Sequence, residues 1–133
     1  MDYVSGPVIL YSQDKVRMMD FLSDVFEFEV DHEHDLVQNG GLHLKLIELP
    51  EEEKIDFQSL GIKFAFKIKS VDQIKEIVNK CNFFIYRKSD THKTYTRNEE
   101  IQNAPYMESA QNTSVSIKDI DGRLWQFDVE TNQ

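Results

Sequence analysis

A chain of 133 residues, 40% hydrophobic and 29% charged, is long enough to bury a core and has the make-up of a globular domain. Its net charge of −9 opposes phosphate backbones and argues against a nucleic-acid partner. No apolar run has the length of a membrane span, the opening MDYVSGPVILYSQDK lacks a basic start and a long apolar core, and the single cysteine has no partner; a cytoplasmic chain without membrane contact is expected.

In chain order, Pro7–Tyr11 (PVILY) reads as a short buried strand, with proline tolerated at its first position. Ser12 or Asp14 offers a helix N-cap. Met18, Met19, Leu22, Val25 and Phe26 then recur at helical spacing, which predicts a helix over Lys15–Phe26. Phe26, Phe28 and Val30 alternate with Glu27, Glu29 and Asp31, so the helix gives way to a strand. Residues 35–38 predict a weak second strand. Asn39-Gly40-Gly41 is a turn, and residues 42–49 (LHLKLIEL) alternate again, with Leu42, Leu44 and Leu46 opposed to His43, Lys45 and Ile47.

Residues 50–61 (PEEEKIDFQSLG) read as a linker by composition. The pattern then starts over. Ile62, Phe64, Phe66 and Ile68 alternate with Lys63, Ala65, Lys67 and Lys69, a half-buried strand. Ser70 and Gln73 fit a capping box, and Val71, Ile74, Ile77 and Val78 predict a short helix ending near Cys81-Asn82. Residues 83–87 (FFIYR) read as a strand, and residues 88–112 as a long polar loop. Ser114–Glu130 (SVSIKDIDGRLWQFDVE) is a hairpin: two period-2 runs around Asp-Gly. The order β-α-β-β-β thus occurs twice, about residues 7–49 and 62–130, and this internal repeat predicts an α+β fold. Two βαβββ modules would form a cupped mixed sheet with helices on the outer face.

Several side chains are candidates for chemistry. His32 and His34 form a His-x-His pair, read as lying on one side of a strand with Glu33 directed away; a solvated strand in an acidic segment is expected rather than zinc. Cys81, at a helix C-terminus where the dipole disfavours a thiolate, is expected to be structural. His92 has no assigned role. Lys63, Lys67 and Lys69 form an alternating basic stripe. Lys45 or Lys63, with His43, Ser114 or Ser116 and Gln126, could hold a carboxylate or phosphate through charge-assisted hydrogen bonds, and Tyr11 shares the parity of Pro7 and Ile9 as an aromatic wall. No nucleophile with a paired base and no Gly-rich phosphate loop is visible.

Three segments, VILYSQDKVRMMDFLSDVFEFEV, IKFAFKIKSVDQIKEIV and IKDIDGRLWQFDV, resemble the vicinal oxygen chelate superfamily, which includes glyoxalase I, extradiol dioxygenases and fosfomycin and bleomycin resistance proteins. The resemblance spans about residues 7–130. It implies metal ligands at Pro7, at His43 or Lys45, at Lys63 and at Gln126. Proline has no side-chain donor, a protonated lysine repels a cation, and an amide is a weak oxygen donor, so no metal and no cofactor is expected. The expected function is metal-independent binding of a small polar or anionic molecule in the cup, lined by Tyr11, His43, Lys45, Lys63, Ser114, Ser116 and Gln126. Two alternatives stand beside it: a lyase or isomerase with Lys63 or His43 as acid–base, and a non-catalytic interaction module. The resemblance also implies a homodimer, with Trp125 and the 88–112 segment as candidate interface.

Overall fold

The computed structural model describes residues 1–53, 55–57, 60–91 and 106–130. The chain divides into two compact units, Met1–Lys54 and Ile55–Gln133.

In the first unit, β1 (Val8–Ser12), α1 (Lys15–Phe26), β2 (Glu29–Asp31), β3 (Leu36–Asn39) and β4 (Leu42–Glu48) follow one another. The sheet order is β1-β4-β3-β2, with β1 parallel to β4 and the other pairs antiparallel. The helix starts where expected because the Asp14 carboxylate accepts the Arg17 N–H at 3.1 Å, while Ser12 Oγ accepts the Asp14 N–H. It stops at Glu27, whose φ of 60° turns the chain left-handed and lets the Glu27 and Phe28 amides close back on Ser23 and Leu22. Met18, Met19, Phe21, Leu22, Val25 and Phe26 are its buried stripe. They share the core with Leu10, Val37, Leu44 and Leu46, and each such side chain removed from water contributes roughly 1.5–3 kcal/mol.

The second unit repeats the order: β5 (Lys63–Ile68), α2 (Val71–Thr91), β6 (Tyr106–Ala110), β7 (Ser114–Lys118) and β8 (Leu124–Val129). Its sheet runs β5-β8-β7-β6, again with the first strand parallel to the last. The α+β class and the two βαβββ modules are therefore observed. Phe64 stacks on Trp125 with ring centroids 4.4 Å apart, and Phe66 on Phe127 at 5.1 Å, so the aromatic positions of both strands form one layer. Gln73 Oε1 accepts the Lys69 and Ser70 amides at the head of α2, the glutamine half of the expected capping box.

Four expectations need correction. Residues 83–87 are helix rather than strand, and α2 does not end at Cys81 but continues to Thr91. Ile74, Cys81 and Phe84 are all buried at spacings that keep them on one helical stripe, and a short apolar run cannot be told from buried helix by periodicity alone. The strand expected at 83–87 is instead β6, inside the segment read as loop; residues 92–105, including His92, lie outside the described residues. His32 and His34 sit in a turn, not on a strand: Asp31 Oδ1 accepts the Glu33 and His34 amides, an Asx-type cap that ends β2. Trp125 is 0% exposed in the chain, so its side chain offers no surface to a second copy.

Candidate functional site

Each sheet packs one apolar face against its helix, and register decides which side chains meet on the other. In the second sheet three cross-strand rungs run over β5, β8 and β7: Lys63–Leu124–Lys118, Ala65–Gln126–Ser116 and Lys67–Asp128–Ser114. Partners directly across a ladder point to the same face. Lys63, Ser114, Ser116 and Gln126, expected to line a site, are thus brought together. Lys67, Lys118 and Asp128 join them. Lys63 and Lys67 are exposed, Gln126, Asp128 and Ser114 are half-buried, and Ser116 and Lys118 are buried. Gln126 Nε2 donates to both Asp128 oxygens, at 3.1 and 3.0 Å, and Lys118 Nζ lies 4.0 Å from Glu108 Oε1. The face therefore presents three ammonium groups, two hydroxyls, an amide and the Asp128 carboxylate.

Lys118 was missing from the expected set. Its signal was nonetheless in SVSIK, where it shares the parity of Ser114 and Ser116.

In the first sheet, Tyr11, His43 and Lys45 share a face. Ile9 pairs with Lys45 and Tyr11 with Ile47 across β1 and β4, while Gln38 pairs with His43 and Leu36 with Lys45 across β3 and β4. Glu29 and Asp31 extend the same rungs through β2. Ile9, Tyr11 and Ile47 are exposed apolar groups. Lys45 reaches along the strand to donate to the His34 carbonyl at 2.7 Å. His43 stands beside Glu29 and Gln38, lining a recess of about 230 Å³ with Val30, Asp31, Leu36 and Val37. The acidic half of this face, Glu29 and Asp31 with Gln38, was not anticipated. Its signal was the two-residue turn Gly40-Gly41, which sets the β3–β4 register and so places Gln38 opposite His43.

Of the metal positions implied by the resemblance, His43 carries an ordinary ligand side chain and the other three differ from one. Pro7 offers no side-chain donor, Lys63 brings a positive charge, and Gln126 offers only a neutral amide oxygen, its Nε2 donating to Asp128. Elsewhere, ligand atoms of Asp31, Glu33 and His34 lie within 4.8 Å of one another, so Glu33 is not directed away from His34. His34 Nδ1 is 2.8 Å from Asp31 Oδ2, and this hydrogen bond holds the Asp31 carboxyl below its ordinary 3.8. All three side chains are exposed.

Among the described residues, no helix is long and apolar enough to cross a membrane. No family model matches the sequence, and no curated protein is similar to it. Solved structures are. The chain is similar to a hypothetical protein, SA1046, from S. aureus, at 16% identity and a TM-score of 0.62, over 96% of this chain and 97% of the other. A variant of the fosfomycin resistance protein FosX from Listeria monocytogenes, complexed with Mn(II) and dihydroxypropylphosphonic acid, gives 15% identity and a TM-score of 0.63, over 98% and 93%. A glyoxalase/bleomycin resistance protein/dioxygenase family enzyme from Burkholderia phytofirmans PsJN gives 10% identity and a TM-score of 0.58, over 92% and 94%. The chain thus has the fold of these resistance proteins and enzymes, in line with the vicinal oxygen chelate resemblance. At this identity the likeness establishes the fold, and function has to be argued from the side chains.

Proposed function

We propose that this chain binds a small polar or anionic molecule on the lysine-bearing face of its second sheet, without a resident metal ion. The single observation that carries the reading is the set of three rungs over β5, β8 and β7, which puts Lys63, Lys67 and Lys118 on one face with Ser114, Ser116 and Gln126. Ammonium and hydroxyl donors converging from neighbouring strands suit a carboxylate or phosphonate, because hydrogen bonds to a charged acceptor are short and strong. The three ammonium groups oppose a divalent cation, and the one carboxylate on the face, Asp128, is held by the Gln126 amide. FosX carries Mn(II) in the complex described above; the proposal is that this chain holds its ligand through lysines instead. A cytoplasmic homodimer is the setting we take for it, the compartment from the sequence pattern and the dimer from the resemblance.

The test is a calorimetric titration of EDTA-treated protein with methylphosphonate and, separately, acetate. Binding should appear without added metal and weaken by about tenfold in Lys63→Met and in Lys67→Met, the loss expected for one charge-assisted hydrogen bond. Binding that appears only when Mn(II) is restored, or that both substitutions leave unchanged, would overturn the proposal.

A further inference from the structure

The recess on the first sheet is chemically unlike the lysine face of the second. Its polar lining comes from neighbouring strands: Glu29 and Asp31 on β2, Gln38 on β3 and His43 on β4. Alternate residues of a strand face the same way, roughly 7 Å apart, so Glu29 and Asp31 set two carboxylates along one wall. Leu36 supplies an apolar patch between Asp31 and Lys45 in the adjoining rung.

Three observations give the recess a sign. Gln38 Nε2 donates to Glu29 Oε2 at 3.0 Å, which orients that carboxylate and leaves Oε1 without a hydrogen bond from another described residue. Asp31 accepts two backbone amides and the His34 imidazole, so its charge is fixed in place while its oxygens are occupied. Lys45, the lysine on this face, has its ammonium drawn to the His34 carbonyl. The surrounding charge acts in the same direction: residues 1–54 hold 13 acidic and 4 basic side chains, whereas residues 55–133 hold 11 of each. The whole net charge of −9 therefore belongs to the unit that contains the recess, and its field concentrates cations there.

We infer that the recess formed by Glu29, Asp31, Leu36, Gln38 and His43 binds a small organic cation, a protonated amine or guanidinium head group. The head group hydrogen-bonds Glu29 Oε1, the ionised Asp31 supplies longer-range attraction, and a short alkyl stem lies on Leu36. A volume of about 230 Å³ falls just under the ~300–1,000 Å³ of drug-sized sites, so the recess takes a head group and not a large ligand. The recess is built wholly by the first unit, and the inference does not rest on the lysine face of the second.

The test is an NMR titration of the full chain, following backbone amides and the Gln38 side-chain amide, with butylguanidinium as probe and butanol and butyrate as neutral and anionic controls. Butylguanidinium should shift Val30, Val37, Gln38 and His43, and the controls should not. Glu29→Gln should weaken binding by about tenfold, the loss of one charge-assisted hydrogen bond. Glu52→Gln makes the same change of net charge at an exposed position outside the recess and should leave binding unchanged. Equal weakening by the two substitutions would show a general charge effect and overturn the assignment, as would shifts centred elsewhere or an equal response to butanol. Mn(II) broadening of the same amides with no butylguanidinium shift would overturn it too, assigning the carboxylates to a metal.

Discussion

Trp125 donates its indole N–H to Asp119 Oδ2 at 2.7 Å across the turn that joins β7 to β8. The same carboxylate accepts Arg123 Nη1 at 3.0 Å and, through Oδ1, the Asp121 and Arg123 amides. Gly122 at φ 94° lets the chain turn tightly enough to bring these donors around it. Arg123 completes the cluster by reaching Asp121 at 3.2 Å and lying 4.2 Å over the Phe57 ring. Four donors thus converge on one buried acid.

Replacing Asp119 with alanine should therefore destabilise the chain more than an ordinary surface charge does. The substitution leaves the Trp125 indole N–H without its acceptor and the Arg123 guanidinium with Asp121 as its remaining carboxylate, so the cost should fall near the lower end of the about 3–5 kcal/mol for breaking a buried pair from one side. Trp125→Phe keeps the stack on Phe64 but removes one donor, so its cost should be nearer 1–2 kcal/mol. Urea unfolding followed by tryptophan fluorescence checks the first variant, since Trp125 is the sole tryptophan, and circular dichroism checks the second. Equal midpoints for wild type and Asp119→Ala would show that the cluster contributes nothing.

Cys81 is buried in the stripe of α2, and burial pushes its thiol up from 9.0 to about 11. A raised folded value means that its contribution to stability is complete below pH 9.0 and is lost as pH rises towards 11. The native thiol should resist alkylation at pH 8, while the urea-unfolded chain reacts freely. Rapid labelling of the native protein would contradict this burial.

The parts of the fold that were legible in sequence are those in which local pattern and tertiary packing agree. Val115 and Ile117 alternate with serines, Trp125 and Phe127 with Gln126 and Asp128, and Asp-Gly joins the runs; the hairpin follows from those residues alone. Lys15–Phe26 was legible because Asp14 caps a clean apolar stripe. Phe83–Arg87 was not, because an uninterrupted apolar run carries neither period, and only the burial of Phe84 beside Cys81 reveals the helix. The candidate site was legible by parity and no further. Lys63, Ser116 and Gln126 fall on the expected polar face, but that Ser116 and Lys118 are buried while Lys63 is exposed depends on packing that no local pattern records. His-x-His misled for a similar reason: the Asp31 side chain competes for the backbone amides and turns the strand.

The Asp31–His34 contact makes a prediction about pH. Because the Asp31 carboxyl is held below 3.8 by the His34 hydrogen bond, its contribution is present above that value and lost as pH falls through the lower, folded one. His34→Ala should move the Asp31 titration upward towards the ordinary value, part of the depression remaining because the Glu33 and His34 amides still donate. A carboxyl-carbon NMR titration of Asp31 in both proteins measures this directly. An unchanged midpoint would mean that the backbone amides alone hold the charge.

Glu27 offers a test of helix termination. It ends α1 at φ 60°, a left-handed conformation that costs a residue with a Cβ about 1–2 kcal/mol and that glycine adopts freely. Glycine also loses more backbone freedom on folding, which offsets part of the gain. Removing one acid from a unit whose net charge is −9 acts in the stabilising direction as well. Glu27→Gly should therefore raise stability by up to about 1 kcal/mol, measured as a higher urea midpoint at unchanged slope. Glu27→Ala separates the two causes, since it removes the charge but keeps the Cβ. If alanine stabilises as much as glycine, charge relief rather than backbone strain sets the effect at this helix end.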